Sequence, residues 1–208
     1  IINIGAEKTE VSVSNKGIVV KHGIVNMGSR NVDNDISYMY KVDTDTAREL
    51  KEKFSSANRT SASLNELKDV KNKEGQVIKV NQYELSEIVI SRLDEILTLS
   101  IQELNRLTSH KPEVIYVTGG ITNMMNFNQI CREKLGKCAI IGSVNLIGLR
   151  NNKFSSAIGN IIYFVNKLKL KGQDYSMISS DEMEVLSTPR KNTNDSMLGK
   201  IFGYFFGE

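Results

Sequence analysis

The sequence predicts an α/β fold. Three apolar runs open the chain and are separated by a loop at residues 5–9 and a tight turn at residues 15–17, which is typical of a β-meander. The later chain, from residue 114 to residue 168, alternates between short apolar runs and stretches with helical periodicity. This order of strand, helix, strand and helix indicates helices packed on a largely parallel sheet.

The first elements follow from local patterns. Residues 1–4, 11–14 and 18–27 are predicted strands, and the loop between the first two contains Gly5. Gly28 ends the third strand. Val32, Ile36 and Met39 then recur at i, i+4 and i+7, which predicts an amphipathic helix.

The middle of the chain has a different composition and pattern. A charged helix is predicted over residues 45–54, a hairpin around Gly75, and a long helix over residues 82–108 with an apolar stripe. We interpret residues 43–108 as an inserted α+β subdomain with its return helix. The two flanking segments, residues 1–42 and 109–170, then form the two parts of one base subdomain.

The second part of the base begins with an apolar strand at residues 114–117 that ends in Thr118, Gly119 and Gly120. A helix over residues 124–135, a strand at 139–141 and a helix over 155–168 follow. Residues 171–195 are polar and are predicted to be a flexible linker. Residues 196–208 are predicted to form an amphipathic helix whose apolar face consists of Leu198, Ile201, Phe202, Phe205 and Phe206.

Composition excludes several classes of function. The net charge is +3, from 27 basic and 24 acidic residues that are interspersed, so the sequence predicts no nucleic-acid partner. Two cysteines and two histidines show no metal-ligand spacing, and we predict no metal site in this chain. Because the chain opens inside an apolar strand without an initiator Met, we expect it to be the C-terminal part of a larger protein.

Two glycine-containing turns are candidate ligand sites on chemical grounds. The loop after the first strand holds Gly5, with Lys8 and Thr9 as donors for a phosphate, although a glycine in a hairpin also serves the turn alone. Thr118, Gly119 and Gly120 end a buried strand before a helix, where α/β folds bind ligands.

Together with their order, these pieces resemble the second lobe of the actin-like ATPases, and within that superfamily the cell-division family FtsA. The order is a strand hairpin with a Gly loop, Gly28 before a helix, an inserted subdomain, the Thr-Gly-Gly turn, and a last helix at residues 155–159. Residues 85–97, residues 145–149 and the tethered terminal helix add to the likeness. The resemblance implies an actin-like (ribonuclease-H-like) second lobe.

The resemblance also implies a nucleotide site. Residues 3–8 match the family's phosphate loop, with one of its three glycines retained, and residues 47–51 match a helix that keeps the family's lysine but has Arg48 in place of an acid. The implied ligands are ATP and Mg²⁺, bound by the intact two-lobed protein with at most weak ATPase activity. Catalytic residues stay unknown. The implied contacts are Gly5, Lys8, Lys51, Thr118, Gly119 and Gly120.

The resemblance further implies partners. Arg92 matches an arginine that helps to bind the acidic C-terminal tail of the tubulin-like protein FtsZ, and we add Lys79 as an extension of that basic surface. Without the family, Arg92 reads as a surface residue paired with Glu87, Asp94 or Glu95. The implied function is an adaptor that polymerises as a filament and tethers FtsZ filaments to the anionic cytoplasmic face of the cell membrane at the division site. A pilus-assembly actin-like protein and a sugar-kinase lobe are the alternatives.

Overall fold

A three-stranded meander begins the fold, as the sequence predicts. The computed structural model describes residues 1–142 and 151–172. Strands β1 (Ile2–Ile4), β2 (Thr9–Asn15) and β3 (Ile18–Val25) pair in antiparallel order. Lys16 and Gly17 join β2 to β3 with φ of 49° and 81°, the two positive values that a two-residue type I′ hairpin turn requires.

Two parallel strands complete the main sheet. Strands β6 (Ile115–Thr118) and β7 (Ala139–Ile141) extend it to the order β3-β2-β1-β6-β7. β6 runs parallel to β1, with Ile2 opposite Val117 and Asn3 opposite Thr118. The carboxyl ends of β1 and β6 therefore reach the same edge of the sheet, where the two glycine-containing turns begin.

The part of the chain that the structure describes contains five α-helices. Side chains cap two of them: Asp43 accepts a hydrogen bond from the Thr46 amide (2.7 Å), and Asn81 accepts from the amides of Tyr83 and Glu84. The Thr46 hydrogen bonds also lower the pKa of the Asp43 carboxyl. The helices are α1 (Ser29–Tyr40), α2 (Thr44–Lys53), α3 (Gln82–Leu107), α4 (Phe127–Leu135) and α5 (Ser155–Leu170).

Strands β4 (Leu67–Lys71) and β5 (Val77–Asn81) form a separate two-stranded sheet. Gly75, with φ of 80°, turns the chain between them, as the sequence predicts. The assignment of residues 43–108 to a subdomain distinct from the base stays a prediction.

Helix α3 provides much of the hydrophobic core. Its buried residues pack towards β2, β3, α1 and α4, and they include Leu85, Leu93, Ile96 and Leu97. Val32 and Ile36 of α1 are fully buried. Met39 is 61% exposed, so its predicted place on the apolar face of α1 is wrong: the core position that follows Val32 and Ile36 is taken by Tyr40, which packs against the core.

Several predicted boundaries shift by one to three residues, most of all the start of α4. α4 begins at Phe127 rather than Met124, because Gly120–Asn123 form a 3₁₀ turn and Asn126 has a positive φ of 62°. Two further 3₁₀ turns lie at Arg59–Ser61 and Asn152–Phe154.

The chain divides into two compact units, residues 1–160 and residues 161–208. The main sheet, the β4–β5 hairpin and α1–α4 belong to the first. Of the second, the structure describes the end of α5 and Lys171–Gly172. No helix within the described ranges is long and apolar enough to cross a bilayer. The predicted segment 145–149, nearly all of the predicted linker 171–195 and the predicted helix 196–208 lie outside those ranges.

The two cysteines are expected to differ in reactivity. Burial raises the pKa of the Cys131 thiol to about 12, whereas Cys138 is half-buried and its thiol donates to the Leu135 carbonyl oxygen (3.6 Å). At about pH 8 only about one Cys131 in ten thousand is then a thiolate, the reactive form. A thiol-specific reagent followed by mass spectrometry should label Cys138 first and Cys131 only after unfolding in urea. Equal labelling of both in the native protein would contradict the packing of α4.

Candidate functional site

The loop after β1 is held by the first turn of α1. The Gly5 amide donates to the Lys8 carbonyl oxygen (3.0 Å), which closes the loop on itself. The amides of Ser29 and Arg30 donate to the carbonyl oxygens of Gly5 (2.9 Å) and Ala6 (2.8 Å). Gly28 permits this approach, because a Cβ there would overlap the Ala6 carbonyl group. The position of the loop therefore follows the position of the start of α1.

Charges on this loop are paired locally. The Lys8 ammonium lies 3.1 Å from Glu10, and its hydrogen bond is the main cause of the lowered pKa of Glu10. Glu7 pairs with Arg30, so the negative charge at the position of a family glycine is compensated within the protein. Lys8 is half-exposed, and it is therefore accessible to an anion that approaches the loop.

The Thr118-Gly119-Gly120 turn lies directly beside this loop. Gly119 has φ of 110°, a value that L side chains rarely adopt, and a Cβ there would overlap the carbonyl oxygen of Ile4. Only a glycine thus lets β6 end against the end of β1. Gly120 follows, and a Cβ there would lie 3.2 Å from the Cβ of Lys153. The structure brings Gly5, Lys8, Thr118, Gly119 and Gly120 to one edge of the sheet.

The residues at the start of α5 fasten this turn from the other side. The Thr118 hydroxyl donates to Ser155 Oγ (3.0 Å), and Ser155 donates in turn to the Asn152 carbonyl oxygen (2.8 Å). The buried Asn152 amide donates to Thr122 Oγ1 (2.7 Å). Thr118 and the segment that begins at Ser155 were singled out from the sequence, whereas Asn152 and Thr122 were not, because partners 30 positions apart leave no local pattern.

Lys51 lies behind the first turn of α1. Its side chain is buried, and its Nζ lies 2.6 Å from Asp33 Oδ1 and 3.4 Å from the Ser29 carbonyl oxygen. Asp33 Oδ1 has no well-aligned hydrogen bond, so its contact with Lys51 is an attraction between charges. The more exposed Arg48 reaches the same carboxylate from 3.8 Å and also pairs with Asp45 (3.4 Å). Sequence analysis missed Asp33 as the partner of both.

Together these features form a surface that suits an anion. Backbone turns of small residues allow close approach, and the cationic groups of Lys8 and Arg30 lie beside the loop, each paired with a carboxylate. The retained Gly5, the glycines at 28 and 119, and the compensated Glu7 fit the phosphates of a nucleotide. The described residues therefore fit the phosphate side of the predicted site. Lys51 lies on the inner side of this surface, where it contacts Asp33 and the Ser29 carbonyl oxygen.

Arg92 occupies a different surface, between α1 and α3. Its Nε and Nη2 donate to the two oxygens of Asp35 at 2.6 and 2.9 Å, a bidentate pair, and its Nη1 donates to Glu95 (2.6 Å). The hydrogen bond to Asp35 is the main cause of the raised pKa of Arg92. Of the three neighbours that the sequence suggested, only Glu95 pairs with Arg92: Asp94 pairs with Lys134, and Glu87 with Arg59.

Lys79 lies on the exposed face of β5, opposite Asp69 in the hairpin register. Arg92 is ten residues into α3, which places it about 15 Å along the helix axis from Gln82. The structure thus places Lys79 and Arg92 on adjoining elements, and their joint use by one partner stays a prediction.

The family model and the curated relatives that match this chain carry the same description. The model of the family described as "Cell division protein FtsA" matches residues 1–159. Cell division protein FtsA of Bacillus subtilis (strain 168) is 25% identical over 180 residues, which are 83% of this chain and 40% of that protein. Its counterpart in Staphylococcus epidermidis is 25% identical over 201 residues, 94% of this chain and 43% of that protein. The chain thus spans about two fifths of the length of these curated relatives.

Solved structures share the fold. MreB5 of Spiroplasma citri bound to ADP has a TM-score of 0.63 at 16% identity, over 82% of this chain and 54% of that chain. A non-polymerising MamK mutant bound to AMPPNP has a TM-score of 0.56 at 17% identity, over 78% and 52%. At these identities the likeness concerns the fold alone, which is that of actin-like proteins.

Proposed function

This chain belongs to the cell division protein FtsA family, and from that premise we propose that it is the second lobe of an adaptor that tethers FtsZ filaments to the cytoplasmic membrane. The adaptor would bind ATP, polymerise as an actin-like filament and act at the division site. The single observation that carries the nucleotide part is the convergence of the Gly5 loop and the Thr118-Gly119-Gly120 turn at one edge of the sheet.

The nucleotide site takes its support from that edge. Two of the solved neighbours with this fold are bound to ADP or AMPPNP. In this chain Gly5 and Lys8 would meet the phosphates, Thr118, Gly119 and Gly120 would meet the nucleoside, and Lys51 would belong to the same site. ATP with Mg²⁺ would supply the ligand, and the ion's charge would offset the phosphates.

Titration of the 208-residue chain with ATP and Mg²⁺ tests this site. We expect weak binding, because the chain has about two fifths of its relatives' length and actin-like sites lie between two lobes. Lys8→Ala should weaken the binding further by about tenfold, since it removes a cation beside the phosphates.

Lys111→Ala is the matched control for this titration. Lys111 is equally a charged surface residue, but it precedes β6, at the opposite end of the sheet from Gly5. Equal losses in the two variants would place the nucleotide elsewhere. A submicromolar affinity of the unaltered chain would show that these residues contain a complete site, which would overturn the two-lobed proposal.

The FtsZ tail site is proposed on the surface that bears Arg92 and Lys79. Arg92 is 26% exposed at its side chain and already holds Asp35 and Glu95. A carboxylate from an acidic tail would therefore take the place of one of these internal partners. In place of Asp35 the tail would make a bidentate contact, and in place of Glu95 a single hydrogen bond. In both cases the guanidinium stays paired, which costs less than leaving it unpaired.

Arg92→Gln should weaken the binding of an acidic FtsZ tail peptide by about 2 kcal/mol, a factor of about 30 in affinity. Fluorescence anisotropy of a labelled peptide measures this. Arg106→Gln is the control, because Arg106 lies on the same helix and pairs with Glu103 in the same way. Unchanged affinity of the Arg92 variant would exclude this surface.

Asp35→Asn separates contact from stability in this experiment. It weakens the same link between α1 and α3 but leaves the Arg92 guanidinium intact. If Arg92 binds the tail itself, the Asp35 variant should bind at least as tightly as the unaltered chain. If it loses affinity as the Arg92 variant does, Arg92 acts by holding α1 to α3 and is not a contact of the tail.

Self-association into filaments is proposed with support from the outer strand of the sheet. β3 lies at its edge, and Ile18, Val19 and Val20 are 69%, 56% and 54% exposed. An exposed apolar edge strand invites pairing with another chain. Membership of the family favours a second copy of this protein as the chain that pairs with β3.

The membrane anchor is proposed from residues 196–208, on sequence pattern alone. Burial of an apolar side chain at the headgroup boundary contributes about 1.5 to 3 kcal/mol when complete, so a single short helix would bind reversibly. Assembly of many copies on one filament would multiply this weak attachment through effective concentration.

Replacing both Phe202 and Phe205 with Glu should release the protein from anionic vesicles in a sedimentation assay without lowering the temperature of thermal unfolding. Ser196→Glu with Gly203→Glu adds the same two charges on the opposite helix face and should leave most of the binding intact. Continued sedimentation of the Phe variant, or a loss of stability in it, would mean that the segment packs on protein instead.

A further inference from the structure

The pair formed by Asp33 and Lys51 is buried, although it lies next to a proposed ligand site. The two residues are 2% and 4% exposed, and their charged atoms are 2.6 Å apart. Asp33 belongs to α1 and Lys51 to α2, so the contact joins two helices. The Lys51 ammonium also lies 3.4 Å from the Ser29 carbonyl oxygen, in the first turn of α1.

Direct contact between Lys51 and a nucleotide would be costly in this arrangement. If the ammonium turned towards a ligand, the Asp33 carboxylate would be left buried with only Arg48 nearby, at 3.8 Å. An uncompensated buried charge is strongly destabilising. Lys51 therefore affects the ligand site through its protein contacts and does not contact the ligand itself.

The route from Lys51 to the ligand surface consists of two consecutive links. Lys51 holds Asp33 and the Ser29 carbonyl oxygen, which fixes the first turn of α1. The amides of Ser29 and Arg30 in that turn hold the carbonyl oxygens of Gly5 and Ala6. The buried pair is therefore connected to the loop through the first turn of α1, in addition to the apolar packing of α1 on α2 and α3.

We propose that Asp33 and Lys51 are positioning residues for the phosphate loop, acting through Ser29 and touching no part of the nucleotide. The inference rests on the nucleotide site proposed above. It assigns a role to Asp33. It also gives Lys51 the role of placing the loop instead of the role of contacting the ligand.

The double variant D33N/K51Q tests the proposal in the full chain, because two amide side chains replace the charges without leaving either charge unpaired. The first measurement is amide hydrogen exchange by NMR at Ser29 and Arg30, whose amides bond to the loop. We expect exchange there to accelerate by about tenfold, with cooperative thermal unfolding retained, and the affinity for ATP to fall by about the same factor.

The control is E49Q/K68Q. It removes an exposed ion pair (3.2 Å) that also begins on α2 but ends on β4, and it should change neither measurement. Should D33N/K51Q unfold, Asp33→Glu keeps both charges and displaces the carboxylate by one methylene, and the same acceleration at Ser29 and Arg30 is expected.

Unchanged exchange at Ser29 and Arg30 in these variants would overturn the positioning role. Accelerated exchange with unchanged ATP affinity would also overturn it, because the pair would then hold α1 without affecting the ligand. If neither the unaltered chain nor any variant binds ATP, the nucleotide site itself is refuted. The titration of the unaltered chain distinguishes this outcome from a failure of the positioning role.

Discussion

The start of α1 is the point on which the rest of the site depends. A helix begins with amides that have no partner within the helix, and a ligand or a loop can satisfy them. Here the carbonyl oxygens of Gly5 and Ala6 accept from Ser29 and Arg30, so the loop after β1 uses these donors itself. Gly28 makes the approach possible by having no side chain. The loop and the start of α1 are therefore joined by hydrogen bonds. A phosphate would have to be bound by groups that these hydrogen bonds leave unused.

Helix α1 also links two surfaces with different proposed partners. Asp33 and Asp35 are two residues apart, so their side chains point to nearly opposite sides of the helix. Asp33 pairs with Lys51 on α2, next to the nucleotide edge, whereas Asp35 pairs with Arg92 on α3, where an acidic tail is proposed to bind. One short helix is thus fastened by a buried pair on one side and by a half-buried bidentate pair on the other. A change at either pair alters the support of the same element.

Secondary structure was largely predictable because its signals are local. Periodicities of two and of about 3.6 residues located the meander, the long helix α3 and the strand before Gly119, and glycines marked the turns at residues 17 and 75. The exceptions have local causes as well. Met39 follows the helical period but is exposed, because the adjacent Tyr40 takes the core position at the end of α1, and the 3₁₀ turn after Gly119 delays the start of α4.

By itself, the sequence determined the elements, their order, the glycines where backbones must approach, and the family resemblance that the match to residues 1–159 bears out. Only the tertiary structure decided which charges meet. Lys51, which the resemblance suggested as a ligand contact, is a buried partner of Asp33. Arg92 pairs with Glu95, one of the neighbours that the sequence suggested, but its bidentate partner is Asp35, 57 residues away. Neither pairing leaves a trace in local sequence, because an ion pair requires only that two side chains be close in space. Closeness between α1, α2 and α3 is set by how their apolar faces pack, which no single segment encodes.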